Sequence, residues 1–154
     1  MFKKDISYIN TDDYFGGTYN DVKFNIEESE IINSKKLNNG KTEETKLFKG
    51  IAMSFKMNKK INSRVLIYSK SMFNKPPKAY EKVTLEYEKF NKKYDVWVMK
   101  NAGNCSEQIE ARYLLNVAFL ERFMQLQTSF KVYNIKWSVY GDKLLILLST
   151  RKDV

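Results

Sequence analysis

Apolar residues recur along the chain at two spacings, and the change from one to the other separates strands from helices. Val22, Phe24 and Ile26 alternate with Lys23 and Asn25, the period-two mark of a half-buried strand, and Ile31-Ile32 begins another. Over 47–57, Ile51, Met53 and Phe55 take one face, with Ala52, Ser54 and Lys56 opposite. Gly50 within that run predicts a bulge or a close backbone approach. Residues 64–68 form a short strand rich in branched side chains. Val83, Leu85 and Tyr87 alternate over 80–87, and Val96 and Val98 share one face of 94–99 with Trp97 on the other. Tyr133, Ile135, Trp137 and Val139 alternate again, and 144–148 is apolar on both faces, as a covered central strand should be.

Between residues 104 and 130 the spacing becomes three and four. Asn104 followed by Glu107 makes a capping box, and Ile109, Tyr113 and Leu114 then mark one buried helix face. Asn116 caps more readily than it continues a helix, so the pattern predicts a break there. A second helix runs from Val117 to about Gln127, with Phe119, Leu120, Phe123, Met124 and Leu126 inward. A single helical turn around Phe90 is expected over 88–93.

Turn chemistry joins these elements. Asn39-Gly40 is a hairpin signal, residues 58–62 turn the chain, and Gly141-Asp142 suits a type II′ turn. Gly16-Gly17, set between aromatics over 14–19, predicts a turn or bulge near the start of a sheet. Pro76-Pro77 lies in an extended connector over 69–79. The expected fold is α+β, a mostly antiparallel β-sheet of six to eight strands. A two-helix insertion at about 104–128 packs on one face. One domain spans 1–154, with residues 1–13 weakly paired and poorly ordered.

Composition narrows the chemistry. With 43% hydrophobic residues, 154 residues can bury a real core. No apolar run approaches the roughly 18 residues that cross a bilayer, and the first residues carry no signal-peptide core. The expectation is a cytoplasmic domain. The sequence has no histidine, which removes Ser-His-Asp and Cys-His catalysis and most zinc sites. No Asp-rich loop spaced for calcium or magnesium is visible, so neither metal nor cofactor is expected. The single cysteine, Cys105, excludes an internal disulfide. It falls at a helix start, where a thiol pKa can drop, yet no histidine can activate it and no second cysteine can resolve it.

The net charge of +9 is uneven: residues 1–30 carry −4, 31–80 carry +10 and 81–154 carry +3. The basic third offers Lys49, Lys56, Lys59, Lys60 and Arg64 as a candidate surface for phosphates or anionic headgroups. Lys outnumbers Arg 23 to 4, however, and Lys lacks the bidentate geometry of phosphate recognition. A bias in composition accounts for such a balance as well.

Several segments together resemble a known family. They are Phe48-Lys49-Gly50, Val83-Thr84-Leu85-Glu86 and the spaced Phe90 and Tyr94. The most specific is Gln108-Ile109-Glu110-Ala111-Arg112-Tyr113-Leu114-Leu115, followed by Phe119-Leu120-Glu121-Arg122. These are similar to the bacterial DUF3137 family, a domain of unknown function, over about residues 14–148. Glu27-Glu28-Ser29-Glu30 resembles its first acidic strand. Members typically show Thr-Pro where this chain has Asn116-Val117, and often carry hydrophobic spans ahead of the domain. The resemblance implies a fold and a bacterial source but no activity. It leaves Glu110, Arg112, Tyr113, Glu121 and Arg122 as motif residues without an assigned role.

Glu110 and Arg112, two apart, point to different sides of a helix. They either anchor a partner or pin the helices to the sheet. Glu86 with Glu88, or Glu107 with Glu110, are carboxylate pairs of the kind that chance supplies in a charged chain. No catalytic residue is assigned. The expected role is a non-catalytic interaction module at the cytoplasmic membrane, meeting a protein partner or an anionic membrane surface through the basic third. It would be membrane-associated within a longer parent protein. The alternative is a nucleic-acid-binding domain that uses the same surface, with steps such as Phe55-Lys56 as a stacking platform. No small-molecule substrate is implied.

Overall fold

The computed structural model describes residues 6–70, 76, 78–100, 106–130, 132 and 134–150. Its elements are β1 (Tyr8–Tyr19), β2 (Val22–Lys36), β3 (Thr42–Ser69), β4 (Tyr80–Val83), α1 (Glu88–Asn91), β5 (Tyr94–Met99), α2 (Ser106–Leu114), α3 (Val117–Phe130) and β6 (Asn134–Ser149). The fold is α+β, and the six strands among the described residues form one antiparallel sheet. Asn104, Cys105, Pro77 and Tyr133, and with them the capping box, the thiol and part of the proline step, lie outside the described residues.

β3 is the spine. β2 pairs with its first half and β5 with its last five residues, while β6 runs along the opposite edge. β4 closes the far side against β5, and β1 flanks β2 as an edge strand. Gly50 sits at φ +148°, where β6 approaches so closely that an added Cβ would lie 2.1 Å from the Leu148 carbonyl oxygen. The close approach read from the sequence is therefore real, and only glycine fits it.

Two expected turns are absorbed into strands. From Lys56 to Val65 β3 advances nine residues, while β6 advances four, from Lys143 to Val139. The segment 57–64 is thus an excursion within one strand, where the sequence predicted a turn between two. Gly141 does take a positive φ of 61°, but the chain does not reverse. Both halves of β6 pair with β3, so the type II′ hairpin is replaced by a bend. Each half of β6 finds its partner on β3, and pairing the halves with each other would strand those β3 positions.

The first hairpin also differs. Its turn is Asn20-Asp21, both at positive φ (47° and 63°), as a type I′ turn requires. Asn and Asp tolerate this left-handed region, so Gly16-Gly17 is free to lie inside β1. Tyr8 to Thr11 pair regularly with β2, and the weakly ordered start expected over 1–13 is a strand from Tyr8 onward. Every β1 residue is nevertheless exposed. At the other hairpin the Asn39-Gly40 signal holds. Gly40 sits at φ +76°, and its N–H donates to the Leu37 carbonyl at 3.0 Å.

α2 and α3 cover one face of the sheet. Leu115, Leu120 and Phe123 pack on Val65, Ile67, Val96, Ile135 and Trp137. Phe90 stacks on Tyr94 at 4.7 Å, and Phe123 meets Tyr94 edge-on at 5.1 Å. The helix break at Asn116 is as expected: its side-chain oxygen accepts from the Phe119 N–H at 3.0 Å, and α3 starts at Val117. The inward face of α2 is as expected only at Leu114, which packs against the core. Ile109 and Tyr113 are 68% and 74% exposed, while Glu107 and Ala111 are buried. α2 is turned so that Glu110 reaches down to β3 while Ile109 and Tyr113 face outward.

Candidate functional site

Because paired residues share a face, register assigns every strand side chain to one side of the sheet. Met53, Val65, Ile67, Val96 and Val139 point at the helices. The opposite face carries Arg64, Tyr68, Trp97, Lys136, Tyr140 and, toward the other end, a small apolar cluster of Ile31, Phe48, Ala52 and Leu147. No helix among the described residues covers this second face, and cations lie over its aromatics. Arg64 sits 4.4 Å from the Tyr140 ring centroid, Lys136 5.7 Å from Tyr68 and Lys82 6.0 Å from Trp97.

Burial beneath these cations has electrostatic consequences. Tyr68 is 2% exposed, and desolvation, then the Tyr80 charge, pushes its hydroxyl pKa up to about 12. Burial likewise lowers the Lys136 pKa, because the low-dielectric surface penalises the charged ammonium. Asp95 is the acid of this region and lies 2.7 Å from Lys82 and 3.9 Å from Lys70.

The basic character peaks at one row. Lys23 of β2 pairs with Lys56 of β3, and Lys56 pairs with Lys143 of β6. Three exposed lysines therefore stand side by side across three adjacent strands. Like charges directly opposite one another destabilise a sheet, and among the described residues Asp142, 4.0 Å from Lys56, is the acid that offsets the row.

The 57–64 excursion adjoins the row and extends it around the sheet toward the helices. Its anchor is Glu110, whose carboxylate accepts from the Asn62 N–H at 3.1 Å, the Ser63 N–H at 2.8 Å and the Ser63 hydroxyl at 2.5 Å. Burial opposes ionisation of Glu110, but these hydrogen bonds and nearby Lys59 outweigh it and hold the carboxyl below its usual range. Lys59 lies 4.5 Å from the exposed Tyr113 ring, and Lys60 is exposed beside it. A groove of 290 Å³ between the excursion and β6 is lined by Asn62, Ser63, Arg64, Met99, Glu107 and Tyr140.

Of the five candidate basic residues, Lys56 stands in the row, Arg64 lies over Tyr140 on the same open face, and Lys59 lies against Tyr113 of α2, with Lys60 exposed next to it in the excursion. Lys49 does not join them. It is seven residues from Lys56 in an unbroken ladder, so it projects from the other face. There it lines a groove with Asp12, Glu28 and Glu30, in acidic surroundings. Lys23, Lys143 and Tyr140 share this face with Lys56 and Arg64 but were not singled out from sequence. They are remote in the chain, and only register brings them together.

The motif residues divide. Glu110 ties α2 to β3, and Tyr113 stands over Lys59. Glu121 accepts from the Tyr87 hydroxyl at 3.3 Å. Arg112 is exposed at a groove of 330 Å³ with Glu86, Tyr87, Asn116 and Val117, and makes no salt bridge among the described residues. Arg122 is exposed on α3. Among the described residues no group of three or more His, Cys, Asp or Glu side chains is placed to hold a metal ion. No helix among them is long and apolar enough to cross a membrane.

Residues 46–154 match the family model described as a protein of unknown function (DUF3137), and the chain belongs to that family. The match begins early in β3, so the β1–β2 hairpin and the acidic Glu27–Glu30 segment precede it, and the family likeness is shorter than the 14–148 read from sequence. No curated protein and no solved structure matches the chain.

Proposed function

We propose that this domain is a non-catalytic interaction module whose basic sheet face docks on an anionic membrane surface. The observation that carries the reading is the row Lys23, Lys56 and Lys143, which keeps like charges adjacent at a cost to the sheet. An anionic surface relieves that repulsion on contact. Juxtaposed lysines near an anionic leaflet contribute about 1 kcal/mol each. Exposed Tyr140 under Arg64, and exposed Tyr113 against Lys59 where the excursion meets α2, supply amphipathic side chains that suit a headgroup layer.

Base stacking on single-stranded nucleic acid is supported less well. Stacking needs an open ring face, whereas Tyr68 is buried and the Tyr140 and Tyr113 rings each carry a cation. Co-sedimentation with phosphatidylserine–phosphatidylcholine vesicles tests the proposal, with pure phosphatidylcholine vesicles and an oligonucleotide as comparisons. The expected result is binding to anionic vesicles that the triple variant K23Q/K56Q/K143Q weakens about a hundredfold. Equal binding by the variant overturns the assignment of the row. Preference for the oligonucleotide at near-physiological salt makes the face a nucleic-acid surface instead.

A further inference from the structure

The outer edge of the sheet has a different character from its basic face. β1 is twelve residues long and exposed throughout, with Tyr14, Phe15 and Tyr19 at 64%, 64% and 72%. Its final stretch, Tyr14-Phe15-Gly16-Gly17-Thr18-Tyr19, holds no charge and no proline, so it lacks the devices by which edge strands usually repel other strands. The register shift between Thr11 and Tyr14 sets this stretch apart from the regular pairing of Tyr8 to Thr11, with Asp12 and Asp13 in the irregular part.

The turn decides which backbone groups are free. A two-residue type I′ turn makes Tyr19 and Val22 a hydrogen-bonded pair. Alternation then aims the N–H and C=O of Tyr19, Gly17 and Phe15 at β2, and those of Thr18, Gly16 and Tyr14 outward. We propose that β1 pairs antiparallel with β1 of a second copy of this chain, about a two-fold axis at Gly16.

That register is self-complementary. Tyr14 of one copy faces Thr18 of the other, both with outward backbone groups. Phe15 faces Gly17, where the absent side chain leaves room for the ring beside Phe24, already 5.7 Å from Phe15 within one copy. Asp13 meets Tyr19 and Asp12 meets Asn20, so no acid opposes an acid. The pairing closes on itself and consumes the β1 edge of both copies, which makes a dimer rather than a filament. A regular contact of five residues per strand, 14–18, belongs with small, transient interfaces, with a dissociation constant on the order of 10–100 µM.

Sedimentation equilibrium of the full chain across that concentration range tests the pairing. Wild type should show a reversible monomer–dimer equilibrium. Thr18→Pro removes an outward N–H while sparing the β1–β2 ladder, and should weaken association at least about tenfold. Phe15→Lys places a charge over the glycine of the second copy, should act similarly, and decides the matter if the proline variant does not fold. A wild-type chain that stays monomeric overturns the proposal and leaves the edge to a strand of another protein. So does a dimer insensitive to both variants, or growth beyond two copies.

Discussion

The Glu110 carboxylate of α2 accepts from both the backbone N–H and the hydroxyl of Ser63, at 2.8 and 2.5 Å, across 47 residues of chain. With the Asn62 N–H it gives the 57–64 excursion partners that the sheet ladder cannot supply there. One helix side chain therefore ties the excursion to α2, which is turned so that Tyr113 stands over Lys59.

Glu110→Ala should destabilise the domain by about 1.5–3 kcal/mol, the range for hydrogen bonds to a charged group, read as a lowered Tm. The folded-state pKa of Glu110 is depressed, so its contribution is complete above the ordinary carboxylate pKa and is lost as pH falls through the folded value. Acid unfolding of Glu110→Gln should consequently be shallower than that of wild type over the same range. Identical acid profiles would count against the anchor.

Arg112→Ala should change Tm by the equivalent of no more than about 0.5 kcal/mol, as for other surface substitutions. Arg112 is exposed and without a salt bridge among the described residues, which places it with ordinary surface positions. A large loss of stability on thermal denaturation would contradict that placement.

Asn116→Ala removes the cap of α3 and should cost about 1 kcal/mol, whereas Asn116→Asp should retain most of it because Asp caps as well. Chemical denaturation of the two variants side by side separates a capping role from one in the neighbouring groove.

Gly50→Ala should cost roughly 2–4 kcal/mol or abolish folding, since the new Cβ meets the Leu148 carbonyl at a backbone angle hostile to side chains. Soluble, folded protein with an unchanged Tm would mean that β3 and β6 are not so closely apposed.

Local chemistry made much of this fold legible in the sequence. Period-two runs located the strands, three- and four-residue spacing located α3, and Asn116 and Asn39-Gly40 marked a helix break and a turn, because each depends on residues a few positions apart. The orientation of α2 was not legible. Ile109 and Tyr113 look like a buried face until Glu110, itself polar, finds its partners on β3. The continuity of β3 and β6 was hidden for the same reason, since a glycine at positive φ serves a bend as well as a hairpin. The candidate site was legible only as a charge excess over 31–80. Composition determined that the chain is basic and histidine-free. Register alone decided that Lys23, Lys56 and Lys143 stand in one row while Lys49 faces away, because strand pairing is a contact between distant segments whose alignment no local pattern encodes.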